Sequence, residues 1–168
     1  MSDLLSARTS TLVLLIASAA ILGTALLSQY VSGLDPCVLC LYQRIPYAAT
    51  IALAVIGLVL STKSRTVGIV HGLAAVAFLV GAGIATYHVG VEQAWWAGTA
   101  ECTGAAAGTA QSVDELRSQI MSAPAARCDE VAWSLFGISM AGYNLLASLA
   151  LTGFAVMAAR KNLQQEPS

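Results

Sequence analysis

Four cysteines carry the chemistry this sequence can do, and they are unevenly spaced. Cys37 and Cys40 form a C-x-x-C in the stretch DPCVLCLYQRIP. That spacing allows a small, easily reduced disulfide ring. Were the backbone helical from Cys37 onward, Cys37, Cys40 and Arg44 would fall at i, i+3 and i+7 on one face. A guanidinium and a helix N-terminus beside Cys40 both favour thiolate over thiol, and thiolate is the nucleophile. Pro46 argues against that geometry, because proline suits a first helical turn and pushes its predecessor out of the α region. A regular helix is therefore expected from about Pro46, with Arg44 in the preceding loop. A C-x-x-C can also be half a zinc site. No second C-x-x-C or H-x-x-x-H follows, so no metal is expected.

Cys102 and Cys128 bracket a segment unlike the rest of the chain, TGAAAGTAQSVDELRSQIMSAPAAR. Its Gly/Ala/Thr portion is expected to be flexible. Ser112-Val-Asp-Glu115 then reads as a capping box. Val113, Leu116 and Ile120 recur at helical spacing, which predicts one short amphipathic helix, suited to the membrane surface. Pro124 agrees with its end. A disulfide across this loop admits a purely structural role. Beside a C-x-x-C near the bilayer it also suits a relay, in which the loop pair exchanges with an external thiol and the inner pair delivers electrons into the lipid.

The elements that must position these sulfurs are membrane helices. The chain has 168 residues, 57% of them hydrophobic and 10% charged, with a mean hydropathy of +0.73. Soluble proteins carry about 25% charged residues. The net charge of −1 gives no basic balance for nucleic acid. Four stretches are long and apolar enough to cross a bilayer, at about 11–30, 45–61, 67–87 and 133–158. The first exceeds the 7–15-residue apolar core of a cleaved signal and lacks a clean small-x-small site, so it reads as a retained helix. The expected fold is an all-α membrane protein, one integral-membrane domain over 1–168. It is a four-transmembrane-helix bundle with a short amphipathic helix in its second outer loop, the outer loops spanning about 31–44 and 88–132.

Four crossings place both termini on one side with Arg8, Lys63, Arg65, Arg160 and Lys161; Arg44, Arg117 and Arg127 fall on the other. Five against three puts the termini in the cytoplasm by the positive-inside rule. All four cysteines then face the compartment where disulfides persist.

Other residues have plainer readings. His88, at the outer end of the third span, suits either a hydrogen bond to a redox ligand or the capping of that helix. His71 reads as structural. Trp95, Trp96 and Tyr87 read as an interfacial aromatic belt, and Asn144 as a bond to a neighbouring helix. Glu92 and Glu101 read as solvated loop charges. No carboxylate pair, Ser/His/Asp set or phosphate-binding glycine loop is present.

Taken together, the four spans, PCVLCLYQR after the first, the cysteine-bearing second loop and CDEVAWSLFGISMAGYN resemble the disulfide bond formation protein B (DsbB) family over nearly the whole chain. The resemblance implies a quinone-linked thiol oxidase of the bacterial inner membrane. Its partner would be a periplasmic thioredoxin-fold protein of the DsbA type, and its acceptor the membrane pool of ubiquinone or menaquinone. It implies that Cys102 and Cys128 form the disulfide that the partner attacks, at Cys102, and that Cys37 and Cys40 form the membrane-proximal disulfide. Cys40 would be the thiolate facing the quinone, with Arg44 and His88 helping to bind it. This family's established pathway keeps the periplasm oxidising, and DsbA is a strong oxidant at about −120 mV, so the acceptor must be more oxidising still. Two alternatives stand beside it. One is a quinone-coupled enzyme of the vitamin K epoxide reductase type, whose C-x-x-C comes late rather than early. The other is a membrane scaffold with two structural disulfides.

Overall fold

The computed structural model describes residues 5–60, 64–103, 112–122 and 126–164. Four long helices, α1 (Ala7–Tyr30), α2 (Val38–Leu60), α3 (Ser64–Glu92) and α6 (Met140–Gln164), are each long and apolar enough to span a membrane. Between α3 and α6 lie two short helices, α4 (Ala100–Thr103) and α5 (Val113–Ser122), and a hairpin of β1 (Ser134–Leu135) and β2 (Ile138–Ser139). The protein is an all-α membrane bundle apart from that hairpin.

Packing is most extensive between α3 and α6, with α2 seated against both α1 and α3. The core holds Leu14, Tyr47, Ala74, Ala75, Phe78 and Ala155. Small residues let the backbones close. A Cβ on Gly68 would lie 2.8 Å from Leu163 Cγ and 3.0 Å from the Leu163 backbone nitrogen, so α3 and α6 approach there only because position 68 has no side chain. Thr11 Oγ donates to the Ala7 carbonyl at 2.7 Å and, 3.0 Å from His71 Nε2, accepts from it, tying α1 to α3. His71 is therefore structural, as its position implied. Asn162 Nδ2 donates to the Leu5 carbonyl at 3.4 Å, so the two ends of the described chain meet at the same end of the bundle.

Helix boundaries differ from the sequence expectation at several points, three of them near the cysteines. Helix α2 opens at Val38, not near 45, and carries Pro46 in its interior. The proline ring is buried against α3, where a Cβ on Gly81 would stand 3.3 Å from Pro46 Cγ. Tertiary packing and an upstream cap outweigh the lost amide of Pro46. The last span opens at Met140, not Trp133, because the apolar residues of 133–138 belong largely to the hairpin. Phe136 and Gly137 have φ of 50° and 76°, and such left-handed values at both central residues make a two-residue hairpin turn. Helix α3 runs on past Tyr87 to Glu92 and stops in a Schellman motif. Trp95 N–H donates to the Gly90 carbonyl at 2.8 Å and Ala94 N–H to the Val91 carbonyl at 3.1 Å, with Ala94 itself left-handed at φ 55°.

The predicted loop helix is present as α5, and the Glu115 N–H donates to Ser112 Oγ at 3.2 Å, one half of the capping box. The Gly/Ala/Thr stretch of 104–111, Pro124, and the side chains of Leu116 and Ile120 lie outside the described residues.

Gly68→Ala should destabilise the bundle by about 1–3 kcal/mol, the usual range for overpacking a closed contact. Unfolding in mixed micelles with increasing SDS measures it. An unchanged midpoint would show that α3 and α6 do not rely on this approach.

Candidate redox site

Helix α2 begins on a sulfur. The Cys37 carbonyl accepts from Leu41 N–H at 3.1 Å, and Cys37 Sγ accepts from the Cys40 N–H at 3.3 Å. Cys37 thus stands at the N-cap, doing with sulfur what serine or threonine oxygen usually does. This places Cys40 in the first turn, inside the apolar helix rather than in a loop, where the exposed N–H groups and positive end of the helix favour negative charge. Cys37, Cys40 and Arg44 do share one helical run, the geometry against which Pro46 argues.

The Cys37 thiol donates to Cys40 Sγ at 2.8 Å. That hydrogen bond, and then burial, push the Cys37 thiol up to about 12. Cys37 is therefore the sulfur that holds its proton, and Cys40 the one that receives the hydrogen bond. Arg44 is half-buried one turn further on and reaches back to α1, donating to Gln29 Oε1 at 2.6 Å and to the Ala25 carbonyl at 3.4 Å.

Cys102 and Cys128 are completely buried in the same cluster as Cys37, with Leu39 and Val91, and Cys40 packs against it. Helix α4 delivers Cys102, whose N–H donates to the Thr99 carbonyl at 2.9 Å, and the Cys102 carbonyl accepts from Cys128 N–H at 3.0 Å. Burial first, and then the hydrogen bond shared with Cys102, push the Cys128 thiol well above its ordinary range. Rather than standing off on an arm, the described ends of the loop hold the outer cysteines against the inner pair. Arg127, just outside, forms a two-pronged bridge to Asp129 at 3.0 and 2.7 Å.

His88 joins this site and caps nothing, since α3 continues a full turn past it. It is buried, with Nε2 3.6 Å from Cys37 Sγ and Nδ1 2.7 Å from Gln43 Nε2. Glu92 corrects the sequence reading. Its side chain is buried, with Oε1 3.8 Å from His88 Nε2, and Ser139 Oγ donates to Oε2 at 2.5 Å while accepting from Gly142 N–H at 3.1 Å as the cap of α6. Gln43 was missed entirely. It sits in the sequence as one letter of CLYQR, and only its closeness to Cys40 hinted at a role. Asn144 bonds to a neighbouring helix as expected, donating to Gln43 Oε1.

Cys37, Cys40 and His88 bring their ligand atoms within 4.8 Å of one another. Two thiolates on a tetrahedral zinc, each at about 2.3 Å, stand about 3.8 Å apart. The 2.8 Å between these sulfurs is too close for that and suits a pair that makes and breaks a bond to each other. Outside the cluster, Trp96 stacks on Tyr87 with ring centroids 6.0 Å apart, meets Trp95 edge-on and donates to the Tyr87 carbonyl at 3.0 Å. These partly exposed rings form an aromatic ledge at the cysteine end of the bundle.

Fold and site together define a multi-pass membrane protein built around paired thiols. Residues 7–158 match the family described as disulfide bond formation protein DsbB, and the chain belongs to that family. It is 34% identical over 160 residues to disulfide bond formation protein B 2 of Pseudomonas savastanoi pv. phaseolicola, covering 84% of this chain and 80% of that one. It is 31% identical over 147 residues to disulfide bond formation protein B of Methylobacillus flagellatus, covering 86% and 87%. An uncharacterized protein of Rickettsia prowazekii is 30% identical over 144 residues, covering 85% and 82%. No solved structure matches. Membership makes this a disulfide bond formation protein.

The displaced thiols predict a pH profile. In the reduced protein, alkylation of Cys37 and Cys128 by iodoacetamide should climb about tenfold per pH unit through pH 10, without the plateau an ordinary thiol reaches above about 8.5. Peptide mass spectrometry reads each site, and a plateau below pH 10 at either sulfur contradicts the upward shift there.

Proposed function

We propose that this protein oxidises a periplasmic thioredoxin-fold dithiol of the DsbA type and passes the electrons through both cysteine pairs to a membrane quinone, either ubiquinone or menaquinone. The observation that carries this reading is the gathering of Cys37, Cys102 and Cys128 into one buried cluster with Cys40 packed against it, Cys37 Sγ and Cys40 Sγ standing 2.8 Å apart at the start of a membrane helix. Two unrelated structural disulfides would have no reason to meet.

The roles follow from chemistry and position. A partner thiolate attacks the Cys102–Cys128 disulfide at Cys102, and the partner leaves as its own disulfide with two electrons left on the loop pair. A loop thiolate then attacks the Cys37–Cys40 disulfide. This restores the loop disulfide and leaves the inner pair reduced, with Cys37 protonated and Cys40 facing outward. Cys128 shares one buried cluster with Cys37 and Leu39, so the loop sulfur that attacks and the sulfur attacked belong to the same packed group.

A bound quinone would supply an acceptor for two electrons and two protons that respiration recycles. The residues at the α1–α2 edge fit such a group. Cys40 is half-exposed there, and Arg44 keeps guanidinium donors beyond the two bonds it makes to Gln29 and Ala25. His88 approaches from the other side, behind Cys37. In this reading the protein lies in the bacterial inner membrane, with both termini in the cytoplasm and the cysteine end facing the periplasm.

Cys40→Ser should abolish quinone reduction. Cys102→Ser should abolish partner oxidation and leave the inner disulfide intact. Thiol trapping in membranes after brief quinone depletion reads both pairs in the parent protein: accumulating free thiols fit the relay, whereas unaltered disulfides would reduce this to a scaffold. Arg44→Ala should raise the KM for quinone about tenfold, the equivalent of about 1.4 kcal/mol. Unchanged saturation kinetics in reconstituted vesicles would remove Arg44 from the site.

A further inference from the structure

A chain of buried polar side chains leads from the cysteine site into the apolar bundle, and its donors and acceptors can be assigned one by one. Tyr47 OH donates to Asn144 Oδ1 at 2.5 Å. A phenol has one proton, so Ser148 Oγ, 2.9 Å away, must donate to Tyr47 rather than accept from it. With its Oδ1 so engaged, Asn144 turns its Nδ2 to Gln43 Oε1. That leaves Gln43 Nε2, a pure donor, facing His88 Nδ1 at 2.7 Å. A ring nitrogen that accepts carries no proton, so the imidazole proton sits on Nε2, between Cys37 Sγ at 3.6 Å and Glu92 Oε1 at 3.8 Å.

We infer that Tyr47 and Asn144, acting through Gln43, are positioning residues that fix His88 as its Nε2–H tautomer and so direct an N–H donor at Cys37. Neither touches a sulfur. Their effect is orientational: each link holds the next amide the right way round, and the last holds the ring. With the N–H of His88 aimed at Cys37 and the S–H of Cys37 aimed at Cys40, the hydrogen bonds all point one way and converge on the Cys40 sulfur. Reversal of the Gln43 amide would put a carbonyl oxygen against Nδ1, move the ring proton there, and face Cys37 with a lone pair.

The polar chain links only α2, α3 and α6, the helices whose packing brings His88 to Cys37. Burial matters to its fidelity, because in an apolar bundle a Gln43 amide that reverses alone sets its NH2 against that of Asn144, donor to donor, and no water stands ready to replace the lost bond. In water the same reversal would be nearly free. Thr50 provides a contrast on the same helix: its hydroxyl is buried with no hydrogen-bond partner among the described residues and takes no part in the chain.

The inference rests on the proposed function in one respect, that His88 serves the cysteine pair. Its test uses neither quinone nor partner protein, so it fails or holds independently of turnover. The full-length reduced protein, in detergent micelles with isotope-labelled histidine, has only two imidazoles to resolve, His71 and His88. A His88→Asn spectrum assigns them by loss. NMR of the ring nitrogens should show His88 with a protonated Nε2 and a bare Nδ1. Tyr47→Phe, which removes a single oxygen, and Asn144→Leu should each add a second His88 signal set with the proton on Nδ1. Thr50→Val should not. A residue that merely supported packing would leave the tautomer unmoved. Finding His88 protonated on Nδ1 in the parent protein, or a parent-like single tautomer in both relay variants, overturns the inference.

Discussion

The start of helix α2 governs the arrangement around it, and it is set by a sulfur atom accepting a backbone hydrogen bond. Cys37 Sγ takes the Cys40 amide at 3.3 Å, so the C-x-x-C becomes the N-cap and third residue of a membrane helix. Sulfur is a weak acceptor compared with a hydroxyl oxygen. What it offers is reactivity at the spot where a helix presents unpaired N–H groups. Fixing that start also fixes the faces of the next two turns: Gln43 is carried toward α3 and α6, and Arg44 toward α1. Shift the cap by one residue and both side chains rotate by about 100° about the helix axis, since 3.6 residues complete a turn.

The second helix also meets its neighbours under an unusual constraint. Polar groups lying in an apolar bundle must find each other, because water is absent to satisfy them. Tyr47, Asn144, Gln43 and Ser148 meet that demand mutually, which is why amides and hydroxyls are tolerated so close to Leu, Ala and Phe packing. Glu92 meets it differently. Its carboxylate is taken up by Ser139, the residue that caps α6, so one buried acid joins the end of α3 to the start of α6.

Hydropathy alone made the four spans legible, since an apolar run long enough to cross a bilayer is rare in a chain that must stay in water. The cysteines were legible as chemistry, and Asn144 as an interhelical bond. Boundaries were harder. Pro46 obeys a local rule that favours a helix start, yet the N-cap at Cys37 and a ring-shaped space against Gly81 prevail over it. Trp133, Leu135 and Phe136 look like the opening of a span because hydropathy does not register the left-handed turn at Phe136 and Gly137. Gln43 and Glu92 were not legible as site residues at all. Gln43 draws its significance from partners 45 to 101 positions away, which no local window encodes. Glu92 meets Ser139 across 47 positions, and its contact with His88 is an i, i+4 pair hidden because hydropathy ends that helix at Tyr87.

The aromatic ledge bears on depth. Tryptophan and tyrosine favour the level where headgroups meet acyl chains, and the packed rings of Tyr87, Trp95 and Trp96 are side chains suited to that level. His88 comes directly after Tyr87 in the helix, and the sulfurs gather beside it. The reactive atoms accordingly sit near the level of those rings, at one end of the bundle and far from its middle. Any oil-soluble molecule that reacts with them must bring its polar head up to that level and leave its tail trailing toward the centre of the membrane.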